Sequence, residues 1–129
     1  MEYKHSHNQV YLINYHLIWC PKRRKPVLIG EIKDRLKNII QEVAKTKGIE
    51  ILALEIMPDH LHLFISAYPT IAIHKLIKAF KGRSSHYLRK EFSCLLKLPS
   101  LWTHSYFVST AGNVSNKTIQ KYIEAQSKK

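Results

Sequence analysis

The stretch "IEILALEIMPDHLHLFISAY", residues 49–68, decides the fold. Residues 49–57 are aliphatic and β-branched enough to read as a strand. Pro58-Asp59 is a turn signal, and residues 60–68 read as a second strand, so the two form a hairpin. Side chains alternate along a strand, so Leu61, Leu63 and Ile65 point into the core. His60 and His62 then lie side by side on the other face, about 6.5–7 Å apart along the chain.

Working outward, "GEIKDRLKNIIQEVAKTKG" (30–48) carries Ile32, Leu36, Ile39, Ile40 and Val43 at helical spacing, with Gly48 as a stop. Ahead of it, "QVYLINYHLIWC" (9–20) reads as a mostly buried strand ending at Pro21, and "PKRRKPV" (21–27) is a basic loop between two prolines. After the hairpin, residues 69–92 are helical. Thr70 is the expected cap, Ile73, Leu76, Ile77 and Phe80 form the apolar face, and Gly82 is a point for a kink or a break. "LLKLPS" (95–100) is a connection, "LWTHSYFVST" (101–110) a strand and "AGN" (111–113) a joint. Residues 114–129 form a last helix with Ser115 as N-cap. The order β-α-β-β-α-β plus one helix predicts an α+β, ferredoxin-like (split βαβ) domain over 1–129. It has one antiparallel sheet with helices on one face. The other face is free for a ligand, a partner or the last helix. This topology serves many unrelated functions.

Lys and Arg number 21 against 9 Asp and Glu, a formal net charge of +12. That balance predicts a polyanionic partner, nucleic acid before membrane. Cys20 and Cys94 lie far apart and form no CxxC pattern, which argues against a disulfide framework and a zinc ribbon and suits a reducing cytoplasm. No apolar run approaches the ~20 residues of a membrane span, and the polar "MEYKHSHNQV" lacks the apolar core of a signal peptide.

Two imidazoles projecting from one strand face can hold a divalent ion if a third group arrives from elsewhere, and Asp59 adds a carboxylate nearby. The plainer alternative is two histidines on a solvated face. His5 and His7 have the same spacing in a polar leader and carry no such reading; His16, His74, His86 and His104 stand alone and read as structural or nucleic-acid contacting. In the last helix Tyr122 and Gln126 are four apart and share a face, next to an Ile119–Ile123 stripe that would dock it. A phenol can attack phosphorus and conserve the phosphodiester energy in a covalent bond, and a glutamine carbonyl can bind a hard cation. An amphipathic helix with a half-buried tyrosine is the plainer alternative.

Taken together, the blocks "YHLIWCPK" (15–22), "MPDHLHLF" (57–64), "KGRSS" (81–85), "YFVSTAGN" (106–113) and "TIQKYIEAQ" (118–126) resemble the single-tyrosine HUH transposases of insertion sequences that move as single-stranded DNA. The resemblance covers nearly the whole chain, in the family's block order. One departure is Arg23, where many members are expected to carry an aromatic.

The resemblance implies that Tyr122 is the nucleophile and that His60, His62 and Gln126 hold Mg²⁺ or Mn²⁺. It implies cleavage of element ends through a 5′-phosphotyrosine and rejoining by a second 3′-end. The partner it implies is single-stranded DNA with hairpin ends. It also implies a homodimer with active sites shared between subunits, working in the prokaryotic cytoplasm at the nucleoid. DNA contacts are expected from Lys22, Arg23, Arg24 and Lys25 in the loop and from Lys78, Lys81, Arg83 and Arg89 on the second helix. Three other readings compete. One is a host-recruited nuclease that processes repeated hairpins. Another is a non-catalytic RNA-binding module on the same fold. The third, a relaxase, is disfavoured by the short chain. No general base for Tyr122 is written in the sequence.

Overall fold

A computed structural model of the chain describes residues 5–6, 9–10, 12–110 and 116–126. The domain is built on a four-stranded antiparallel sheet: β1 (Ile13–Trp19), β2 (Glu50–Met57), β3 (His60–Ala67) and β4 (Phe107–Thr110), in the spatial order β2-β3-β1-β4. Helices α1 (Gly30–Lys47) and α2 (Ile73–Glu91) pack on one face, and α3 (Asn116–Ala125) follows β4. This is the expected ferredoxin-like arrangement.

Alternation explains the layering. Leu17 and Trp19 of β1 and Leu61, Leu63 and Ile65 of β3 are fully buried against Leu36, Ile39 and Ile40 of α1 and Leu76, Ile77 and Phe80 of α2. Burying such side chains contributes about 1.5–3 kcal/mol each before the entropy of ordering them is subtracted. The opposite parity, His16 and Ile18 on β1 and His60, His62 and Phe64 on β3, faces away from α1 and α2. Gly48 ends α1 in the left-handed conformation (φ 68°), and its N–H donates to the carbonyls of Ala44 and Lys45.

Several boundaries differ from expectation. The first strand starts at Ile13, and Gln9–Val10 pairs instead with His5–Ser6 in a separate two-stranded ribbon. Thr70 does not cap α2, which begins at Ile73 after an extended Ala72 with no side-chain cap bond. Gly82 does not split α2, which runs unbroken from Ile73 to Glu91; the buried Phe80, Ser84 and Leu88 anchor the helix on either side of it. The expected strand 101–110 is a strand only over Phe107–Thr110. Leu101–Thr103 instead turns toward α2: Trp102 bridges to Pro21, and its indole Nε1–H donates to the buried Ser84 hydroxyl at 3.0 Å. The Ser115 cap and the 111–113 joint lie outside the described residues. No described helix is long and apolar enough to cross a membrane.

Candidate active site

The hairpin brings Asp59, His60 and His62 to the edge of the face left bare by α1 and α2. In the ladder, His62 stands opposite Ile18 of β1 and Glu55 of β2, and His16 stands opposite Phe64. That register makes His16 and His62 diagonal neighbours, within reach of long or aromatic side chains. His16 Nε2 lies 2.9 Å from His62 Nδ1. His60 Nδ1 lies 2.7 Å from Asp59 Oδ1, and the other oxygen of Asp59 takes Arg24 Nε at 2.9 Å. His60 and His62 therefore each have Nδ1 occupied, and Nε2 is the nitrogen without a partner among the described residues. The His60 and His62 rings meet edge to face, centroids 5.1 Å apart.

Burial and then the neighbouring imidazoles of His60 and His16 push the His62 pKa down to about 4; burial likewise lowers His16. Both are neutral at pH 7, the form in which an imidazole offers a lone pair.

Helix α3 covers this face. Gln120 and Ile123 close a cavity of about 530 Å³ whose other walls are His16, Arg24, Glu55, Asp59, His60, His62 and Phe64. Ile123 is 7% exposed, and its carbonyl accepts a 3.5 Å contact from Arg24. Tyr122, on the neighbouring side of the helix, packs on Phe107 of β4 with centroids 5.7 Å apart. Its hydroxyl lies 3.3 Å from Ser105 Oγ, and Ser105 Oγ–H donates to Gln126 Oε1 at 2.7 Å. The Gln126 amide donates back to the Tyr122 carbonyl at 3.0 Å. Burial, only partly offset by the Ser105 and Thr103 hydrogen bonds, pushes the Tyr122 phenol up to about 12.

His60 and His62 are thus brought together, with Tyr122 and Gln126 on the helix over them but turned to Ser105. Among the described residues no three His, Cys, Asp or Glu side chains converge as a metal cage. Two imidazoles with Nδ1 tied could together hold one divalent ion through Nε2, leaving positions open for other groups; the amide oxygen of Gln126 accepts from Ser105 in this arrangement. Cys20 is buried and pushed up to about 12, chiefly by that burial, and so is not an available thiolate.

The basic residues divide into two sets. Arg24 is held by Asp59, Arg89 donates to the carbonyls of Leu98 and Pro99, and Lys81 donates to those of Thr103 and Ser105. Burial lowers Lys81 to about 8. Arg23, Lys25, Lys78 and Arg83 are exposed, and Lys22 is half-buried.

Two residues escaped sequence reasoning. His16 is not isolated; a histidine within an apolar strand, on the parity of the HxH pair once β1 neighbours β3, was the available signal. Ser105 gave none, since its role depends on the turn from Leu101 to Tyr106.

The family model "Transposase IS200 like" matches residues 9–126. The chain belongs to the IS200-like transposase family. It is 42% identical to the ISDra2 transposase TnpA of Deinococcus radiodurans, over 98% of this chain and 92% of that protein. It is 30% identical to the transposase for insertion sequence element IS200 of Salmonella typhimurium, over 87% and 75%. A crystal structure from Deinococcus radiodurans R1, described as a transposase, superposes with a TM-score of 0.87 at 41% identity, over 95% and 97% of the two chains. A REP-associated tyrosine transposase bound to a REP hairpin shares the fold, with a TM-score of 0.61 at 16% identity over 93% of this chain and 69% of that one.

Proposed function

We propose that this IS200-like transposase cleaves and rejoins single-stranded DNA at insertion-element ends, with Tyr122 as nucleophile and His60 and His62 as metal ligands. One observation carries the reading: the helix bearing Tyr122 lies across the same sheet face, and closes the same cavity, as the paired histidines. The Tyr122 oxygen attacks the scissile phosphorus and the bond to the leaving 3′-oxygen breaks. A 5′-phosphotyrosine and a free 3′-hydroxyl result. A second 3′-hydroxyl then attacks the same phosphorus and releases the phenol. His60 and His62, held through Asp59 and His16, would hold a divalent ion, Mg²⁺ or Mn²⁺, with Gln126 as a further ligand once free of its Ser105 contact. The bound ion would supply positive charge that offsets the charge developing on the phosphate oxygens. Buried under the docked helix, the Tyr122 phenol keeps its proton, so undocking of the helix belongs to activation.

The net charge of +12 supports a nucleic-acid substrate. The hairpin bound by the REP-associated neighbour supports a hairpin-bearing one. The 42% identity to an insertion-sequence transposase, against 16% to the REP-associated protein, favours the element-mobilising reading over a host-recruited nuclease. We read the working form as a homodimer acting at the nucleoid. The test is incubation with single-stranded DNA carrying a hairpin element end. A covalent adduct that requires Mg²⁺ or Mn²⁺ and disappears in Tyr122→Phe, with hairpin binding kept, is expected. Adduct formation by Tyr122→Phe would overturn the nucleophile.

A further inference from the structure

We infer that His16 is a positioning residue for His62: it accepts the hydrogen bond of His62 Nδ1–H and so keeps the lone pair of His62 on Nε2. This rests on the metal reading above, and it assigns a role to a residue outside the HxH motif.

The two rings sit diagonally across the β1–β3 ladder with the nitrogens 2.9 Å apart. A contact of that length between two neutral imidazoles holds one proton. If the proton belongs to His16 Nε2, then His62 accepts at Nδ1, carries its own proton on Nε2 and has no lone pair left for a cation. If it belongs to His62 Nδ1, Nε2 is free to ligate. Ligation through His62 Nδ1 is closed in either case, because His16 occupies it. Metal-binding histidines depend on such a partner to set tautomer and ring orientation.

His16 is built to hold still. It is 8% exposed, and its ring stacks on Phe64 with centroids 4.1 Å apart and planes 15° from parallel. A side chain present only for packing on Phe64 would need no nitrogen 2.9 Å from His62. His60 is treated in parallel by a different group, the Asp59 carboxylate that Arg24 anchors. Both histidines thus present the same nitrogen, one through a carboxylate and one through a neutral acceptor that adds no charge.

The test uses the full-length protein and has two readouts. In long-range ¹H–¹⁵N spectra of the metal-free protein at neutral pH, His62 is expected in the Nδ1–H tautomer. In His16→Phe, which keeps an aromatic ring over Phe64, His62 is expected to populate the Nε2–H tautomer. By titration with Mn²⁺ alone, His16→Phe is expected to bind about ten- to hundredfold more weakly. His16→Gln, whose amide oxygen can take the place of Nε2, should recover most of that loss. Circular dichroism checks the fold of each variant. Wild-type His62 in the Nε2–H tautomer, or equal Mn²⁺ affinity in His16→Phe and wild type, overturns the proposal. Should His16→Phe fail to fold, the wild-type tautomer and His16→Gln still decide. If His62→Ala binds Mn²⁺ as wild type does, the metal reading falls and the His16 role falls with it. If only His16→Phe is silent, the metal reading stands and this inference does not.

Discussion

Arg24 and Asp59 form an ion pair, Nε to Oδ2 2.9 Å, that ties the basic turn after β1 to the hairpin turn in front of His60. The turn is a 3₁₀ segment, Lys22–Arg24, with Arg23 and Arg24 at φ 56° and 53°. Such backbone angles are uncommon outside glycine and are sustained only by surrounding contacts. Arg24 thereby belongs to the support of His60, although in sequence it is one of four adjacent cations.

The first prediction separates these roles. Arg23→Ala and Lys25→Ala should each reduce the slope of log affinity against log salt for hairpin-bearing single-stranded DNA by about 0.7–0.9. Arg24→Gln should leave that slope nearly unchanged and lower metal-dependent cleavage. An Arg24→Gln slope change equal to that of Lys25→Ala would show that Arg24 faces phosphate instead.

Tyr122 should ionise late. Its phenol is raised from 10.0 to about 12 in the folded protein, so the docked helix keeps the proton that an undocked one loses. The stabilisation from docking is full below pH 10 and is lost as pH rises from there through about 12. A difference absorbance titration, wild type minus Tyr122→Phe, should place this tyrosinate near 12. A midpoint at 10 would mean that the burial of the Tyr122 phenol under the docked helix does not persist in solution.

Removing a ligand should cost more than removing a spare oxygen. His60→Ala and His62→Ala are expected to slow Mg²⁺-dependent cleavage by about a hundredfold or more, the loss of several kcal/mol of charge stabilisation. Gln126→Ala should be milder, because water can replace a neutral ligand. Single-turnover rates check this ranking, and full activity in His62→Ala would refute the site.

Subunit sharing is testable by mixing. β4 lies two strands from β3, roughly 10 Å, so α3 can reach the histidines of its own chain. Family resemblance favours the partner's histidines. Tyr122→Phe and His62→Ala subunits, each inactive, should regain cleavage when exchanged into one dimer. No recovery after verified exchange would leave nucleophile and ligands in one chain for the cleavage step.

Ser84 should matter for stability, not chemistry. Its hydroxyl accepts the Trp102 indole N–H and donates to the Phe80 carbonyl at 2.7 Å. Ser84→Ala leaves a buried indole N–H without this acceptor, a cost of about 1–3 kcal/mol. Urea denaturation should show a lower midpoint at unchanged m. An unshifted midpoint would mean another acceptor satisfies Trp102.

The sequence by itself determined the architecture, because the fold rests on periodicity. The alternation through residues 60–67 and the helical spacing of Leu36, Ile39, Ile40 and Val43 are local patterns that burial then enforces. The same alternation put His60 and His62 on one face, and the i, i+4 spacing put Tyr122 and Gln126 on another element, so the candidate chemistry was legible too. Only the tertiary structure decided which groups meet. Strand order brings β1 beside β3 and makes His16 the partner of His62. The turn at Leu101–Tyr106, which reads as strand by composition, bends because Trp102 finds a buried hydroxyl on α2. It thereby sets Ser105 under Tyr122. Arg24, indistinguishable from Lys25 in a basic run, is singled out by the carboxylate that the hairpin turn aims at it. Hydrogen bonds between residues tens of positions apart have no period, and so they leave no trace in the linear pattern.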